Sequence, residues 1–157
     1  MEKFFKAALC ATLLTTAVSP AMAEDFPFED QIEGRQGFFQ MMKFNMGVLA
    51  AMAKGKRDYD AELAQAIANN LKNAAAMDNG LMWPKGSDMD AEGLSDVTKA
   101  KADIWAADSD IGEKHKNWVA ATNTMAESAG QGLDALRGAI GPLGKSCKSC
   151  HDNYKAK

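Results

Sequence analysis

From Leu133 to Tyr154 the residues Leu133, Leu136, Ile140, Leu143, Cys147, Cys150 and Tyr154 recur at alternating steps of three and four. That spacing is a heptad seam, so the stretch must fold as a helix that buries one face against other helices. The seam closes on Cys147-Lys148-Ser149-Cys150-His151, close to the C-terminus at Lys157. Residues at i, i+3 and i+4 share a helix face, so both thiols and the imidazole are expected to point into the seam. Pro142 interrupts the pattern. It removes a hydrogen bond to the carbonyl of Gly138 and predicts a kink, which Gly138, Gly141 and Gly144 can absorb while leaving room for something bulky.

The opposite end of the chain reads as a secretory leader over residues 1–23. Lys3 and Lys6 precede an apolar run of 12 residues, 7–18, and Ala21-Met22-Ala23 is an A-x-A cleavage site. Twelve residues cannot span a bilayer and no later segment comes close, so no membrane anchor is expected. Cys10 precedes most of the apolar run, which argues against a lipoprotein cysteine. Removing 23 of the 157 residues leaves a 134-residue domain, 24–157, with 16 basic and 20 acidic residues and a net charge of −4. Such a chain offers no electrostatic footprint for nucleic acid. Both of its remaining cysteines lie in one short motif.

The mature chain holds 22 alanines against eight isoleucines and valines, with no long apolar–polar alternation, so its fold class is all-α. A first helix is predicted from about Asp30 to Lys54, with a stripe of Ile32, Phe39, Met42, Met46, Leu49 and Met52. Phe38 and Met41 fall off that stripe, on the face expected to be exposed. A second helix starts at an Asp58 or Asp60 N-cap, carries Leu63, Ile67, Leu71, Ala74 and Ala75, and stops at Asn79-Gly80. Residues 80–107 form a long connection, with Trp83 and Trp105 near its ends to pack it onto the body. A third helix opens at Asp110 with Glu113 in capping-box spacing, and its stripe includes Ile111, His115, Trp118, Thr122, Met125 and Ala129. Together with the seam helix these make an antiparallel up-down-up-down four-helix bundle, a fold that houses cofactors in its core.

Two thiols at this spacing can add across the two vinyl groups of a haem, and the adjacent imidazole can reach the iron. C-x-x-C-H is the attachment signature of c-type haem, and export agrees, because such attachment in bacteria occurs outside the cytoplasm. Three alternatives are weaker. A thioredoxin-like C-x-x-C needs a strand-to-helix setting that is lacking. Structural zinc needs four ligands, and the adjacent Cys150 and His151 fit one tetrahedron with His115 poorly. A disulfide inside one helical turn strains its geometry.

Only six residues follow His151, too few to loop back with a second axial ligand, so that ligand is expected from upstream or not at all. Met41, Met42 and Met46 of the first helix and His115 of the third are the candidates. A lone histidine on an apolar stripe is more often a core or boundary residue, and methionines at helical spacing more often fill gaps. Arg35 and Gln36 stand on or beside the first helix's stripe. A haem propionate is one partner for such an arginine, and a surface ion pair is the other.

With these residues in place, the chain resembles cytochrome c′, the high-spin class of four-helix-bundle c-type cytochromes, over its whole mature length. The resemblance is carried by Gly144-Lys145-Ser146-Cys147-Lys148-Ser149-Cys150-His151-Asp152-Asn153-Tyr154-Lys155, by Arg35-Gln36-x-x-Phe39 and by the segment from Thr98 to Trp105. It implies one haem c bound covalently through Cys147 and Cys150, His151 as the only axial protein ligand, and Arg35 and Gln36 at the propionates. It also implies Phe39 over a vacant distal face, where low-spin relatives of the cytochrome c556 type have a ligating methionine. Lys155 departs from the arginine frequent in relatives beside the proximal imidazole, and lysine neither stacks nor forks as arginine does.

An open apolar site without a hydrogen-bond donor favours nitric oxide and carbon monoxide over dioxygen. The expected function is therefore a periplasmic gas-binding cytochrome that sequesters nitric oxide. The alternative is a six-coordinate, low-spin one-electron carrier working with a redox partner protein. No acid–base pair supports an enzyme such as a peroxidase. The resemblance further implies a homodimer through the first two helices.

Overall fold

The computed structural model describes residues 26–157; the leader expected over residues 1–23, with Cys10 and the cleavage site, lies outside them. Four helices carry the described chain: α1 (Glu29–Ala53), α2 (Ala61–Ala75), α3 (Ile111–Ser128) and α4 (Leu133–Tyr154). α1 packs on α2 and α4, and α3 packs on the same two, which closes an antiparallel four-helix bundle around one core. Leu49, Met52, Leu71, Met125, Leu136 and Leu143 are at most 1% exposed. Full burial of such a side chain contributes roughly 1.5–3 kcal/mol. α2 buries Ala64, Ala68, Ala74 and Ala75 among larger residues, and small residues at a contact let helix axes approach closely.

The helix boundaries follow local chemistry. Asp60 is extended, and its carboxylate accepts the Leu63 N–H at 3.0 Å, capping α2. α2 ends at Ala75, ahead of the Asn79-Gly80 stop, and the Asp78 carboxylate then takes the Gly80 N–H at 3.1 Å to turn the chain into a short 3-10 segment, Gly80–Met82. α4 continues through Pro142 as one helix. Gly138 and Pro142 both lie on its exposed face, where water can replace the missing N–H.

Two expectations need correction. The buried residues of α1 are Ile32, Arg35, Phe38, Met42, Asn45, Leu49 and Met52. Phe38 is thus a core residue rather than an exposed one, and Phe39 is 44% exposed. Polar Arg35 and Asn45 occupy two of the seven inward positions and obscure the period. Asn45 is accommodated by donating to the Met41 carbonyl at 2.8 Å and accepting from Asn70 at 3.2 Å. At α3, Asp110 precedes the helix as expected, but its side chain does not cap it. Its carboxylate instead accepts from the Tyr154 hydroxyl of α4 and pairs with Lys114 at 2.9 Å. Tyr154 and Lys114 thus occupy the carboxylate in place of the first-turn N–H groups of α3.

The connection between α2 and α3 is ordered by both halves of the bundle. The Trp105 indole donates to the Trp83 carbonyl at 3.0 Å, and a second 3-10 segment, Ala102–Trp105, leads towards α3. Ala100 pairs antiparallel with Lys155, Lys101 N–H bonds the Tyr154 carbonyl at 3.0 Å, and Ala156 N–H bonds the Lys99 carbonyl at 2.9 Å. Residues 97–101 therefore form a strap across the C-terminal end of α4.

Candidate haem site

α4 presents Cys147, Cys150 and His151 within about one turn, but only the thiols are partly buried, and His151 is exposed rather than turned into the seam as expected. Both thiols are partly buried and not linked to each other. Burial pushes both above the ordinary cysteine range; Ser146 opposes this at Cys147, and Lys114 opposes it at Cys150. Burial and then the neighbouring Lys155 charge hold the His151 imidazole below its usual value, against Asp152. A neutral imidazole keeps a lone pair for a metal. Two unlinked thiols followed by a neutral imidazole are the donor set that haem c requires, and the residues fit that group. Among the described residues no three His, Cys, Asp or Glu side chains converge on a metal-binding point. His115 is exposed on α3 with its ring 5.6 Å from that of Trp118.

α1 contributes the second set. Arg35 is 3% exposed. One guanidinium nitrogen, Nη1, donates to the Met82 carbonyl at 3.3 Å and to Ser87 Oγ at 2.7 Å. Nη2 donates to the Ser87 carbonyl and to Thr98 Oγ1 at 3.0 Å. The guanidinium carbon also lies 4.7 Å above the Trp83 ring. Burial lowers the Arg35 pKa, with Asp88 opposing, but a guanidinium remains charged at any ordinary pH. Gln36 is exposed and donates to the Val97 carbonyl at 2.7 Å. Both residues thus hold the connection that carries the strap.

Phe39 sits between two rings, edge-to-face with Phe38 at 5.3 Å and with Trp83 at 6.1 Å. Met42 lies in the core, Met46 packs against it, and Met41 is 43% exposed. Sequence reasoning missed Ser87, Thr98 and Trp83 as partners of Arg35. The available signal was an arginine on an apolar stripe, because a buried guanidinium demands several acceptors.

The family model described as Cytochrome C' matches residues 30–155. Cytochrome c-554 of Cereibacter sphaeroides is 37% identical over 151 residues, covering 96% of each chain. Cytochrome c′ of the same organism is 36% identical over 151 residues, covering 95% of this chain and 97% of its own. Among solved structures, a cytochrome c′ from Rhodobacter sphaeroides superposes with a TM-score of 0.77 at 34% identity, covering 84% of this chain and 99% of its own. A cytochrome c′ described as having an unusual ligand-controlled dimer dissociation gives 0.74 at 32% identity, over 85% and 99%. A ferrous arginine-to-lysine variant from Alcaligenes xylosoxidans with bound NO gives 0.70 at 29%, over 85% and 99%.

Proposed function

The chain belongs to the cytochrome c′ family, whose members carry haem c, and from that premise we propose a periplasmic mono-haem cytochrome with five-coordinate high-spin iron that binds nitric oxide and carbon monoxide and sequesters nitric oxide. When bound, haem supplies the iron that takes up a diatomic ligand or an electron. In this reading Cys147 and Cys150 form the thioether links, His151 is the sole axial protein ligand, and the leader over residues 1–23 is removed on export. Arg35 and Gln36 stand at the propionates while also holding the strap. Phe39 covers the open face, screens ligands by size and offers no hydrogen-bond donor, which favours nitric oxide and carbon monoxide over dioxygen.

The observation that carries this reading is the position of Phe39 relative to the possible ligands. The half-exposed side chain is apolar, whereas the nearby Met42 is 7% exposed within the core. Binding of NO in a solved relative agrees. No described helix is long and apolar enough to cross a membrane. We further propose a homodimer through α1 and α2, supported by exposed Met41 and Phe44 on α1 and Met77 just after α2.

Absorption spectra of the haem-loaded protein, ferric and ferrous, with and without nitric oxide, test the reading. The expected ferrous spectrum is high-spin and shifts on addition of nitric oxide or carbon monoxide. A low-spin ferrous spectrum with a sharp α band, unmoved by either gas, would replace it with a one-electron carrier of the c556 type.

A further inference from the structure

The side chain read above as the cover of the gas site is itself braced. Phe39 is not among the buried core residues of α1, so within the chain its orientation is set by its ring neighbours. Two rings meet it edge-on: Phe38, tilted by 81° at 5.3 Å, and Trp83, tilted by 73° at 6.1 Å. Phe38 is buried against Trp118, whose ring centre is 6.3 Å away. Trp83 belongs to the connection between α2 and α3, and a side chain on a connecting segment is ordinarily mobile. Here it is clamped. The Arg35 guanidinium covers its face at 4.7 Å, the Trp105 ring lies 6.5 Å away, and its carbonyl accepts the Trp105 indole N–H at 3.0 Å. Arg35 is in turn fixed by Met82, Ser87 and Thr98. Arg35 and Phe39 are one turn apart on α1, so Trp83 lies across both and closes a loop of contacts that begins and ends on that helix.

We propose that Trp83 is a positioning residue for Phe39 and through it sets the rate and size limit of ligand entry. The inference rests on the open-site reading above. Edge-to-face pairing biases a rotamer equilibrium by about 2- to 10-fold, so loss of the indole frees Phe39 to swing out by that factor.

The test is carbon monoxide association with the ferrous, haem-loaded protein after flash photolysis, repeated with n-butyl isocyanide as a bulkier probe. In Trp83→Leu the carbon monoxide rate is expected to rise about 2- to 10-fold, and the isocyanide rate to rise further. Trp83→Phe keeps a ring for Arg35 to cover and an edge for Phe39, and restores rates near those of the unmodified protein. A second readout does not depend on ligand entry. Carbon-13-labelled phenylalanine in the carbon monoxide-bound protein should show faster ring motion at Phe39 in Trp83→Leu and not in Trp83→Phe. Should Trp83→Leu lose haem, Trp105→Phe removes the bond to the Trp83 carbonyl and carries the same expectation with a smaller effect. Unchanged rates in these variants beside a faster Phe39→Ala, or a Trp83→Phe as fast as Trp83→Leu, would overturn the brace alone. A ferrous unmodified protein that takes up no carbon monoxide would overturn the open-site reading, and the brace with it.

Discussion

A buried guanidinium among neutral acceptors is held by a fan of hydrogen bonds that no other side chain can reproduce. Arg35 is such a group. Its loss removes the donor to both the hydroxyl and the carbonyl of buried Ser87, while Thr98 Oγ1 keeps the Ala100 N–H at 3.2 Å, and each unsatisfied buried group costs roughly 1–3 kcal/mol. Arg35→Met is therefore expected to destabilise the haem-loaded protein by about 3–5 kcal/mol. In thermal unfolding followed by circular dichroism that is a fall on the order of 10 °C. Arg35→Lys recovers less than half, because three donors on one nitrogen cannot span these acceptors. Gln36→Leu removes one exposed bond and costs less than about 1 kcal/mol. A Gln36 variant as unstable as the Arg35 one contradicts this account. The arginine's position on the stripe is legible in the sequence, but its partners are not. Ser87 and Thr98 lie 52 and 63 residues away, on a segment without periodicity, where nothing local marks which hydroxyl turns inward.

Between elements, the join of α3 to α4 is set by Asp110, Lys114 and Tyr154. The Tyr154 hydroxyl donates to the Asp110 carboxylate and accepts the Asp110 N–H at 2.9 Å, so a residue of α4 caps the start of α3. The Tyr154 bond first, and Lys114 second, hold the Asp110 carboxyl below its ordinary value. A carboxyl depressed in the folded state stabilises fully above its unfolded pKa of about 3.9 and loses that contribution as pH falls towards the folded value. Melting temperature should thus drop on acidification below about pH 4, less steeply in Asp110→Asn than in the unmodified protein. Parallel curves for the two proteins would remove Asp110 from this role. The spacing of Asp110 and Glu113 predicts the start of α3 correctly and the partner wrongly, because a capping box is a local pattern and Tyr154 arrives from 44 residues away. The same limit explains α1. Its length follows from helical spacing alone, yet its inward face is shifted because Arg35 and Asn45 are buried by contacts outside the helix. α4 is the opposite case, since its seam is apolar or sulfur-bearing from Leu133 to Cys150, and only its last member, Tyr154, carries a polar group met by an outside partner.

Across the whole molecule, the strap and the two cysteines gather at one region, while an outer face of α1 stays bare. Met41 and Phe44 are 43% and 68% exposed, and they stand three residues apart, on one side of the helix. Among the described residues Phe44 makes no ring contact. A stable dimer needs about 1,000 Å² or more of buried surface, and an aromatic side chain supplies 150–250 Å² of it. Its replacement by a carboxylate leaves a charge without a partner at the centre of such a contact. The unmodified haem-loaded protein is accordingly expected to sediment as a dimer at micromolar concentration, and Phe44→Glu as a monomer. The haem spectrum should be the same in both, because Phe44 lies outside the ring contacts that link Phe38, Phe39 and Trp83. A monomeric unmodified protein refutes the dimer directly. A dimeric Phe44→Glu places the contact elsewhere on the bundle, and an altered haem spectrum would move Phe44 from the outer face into the site.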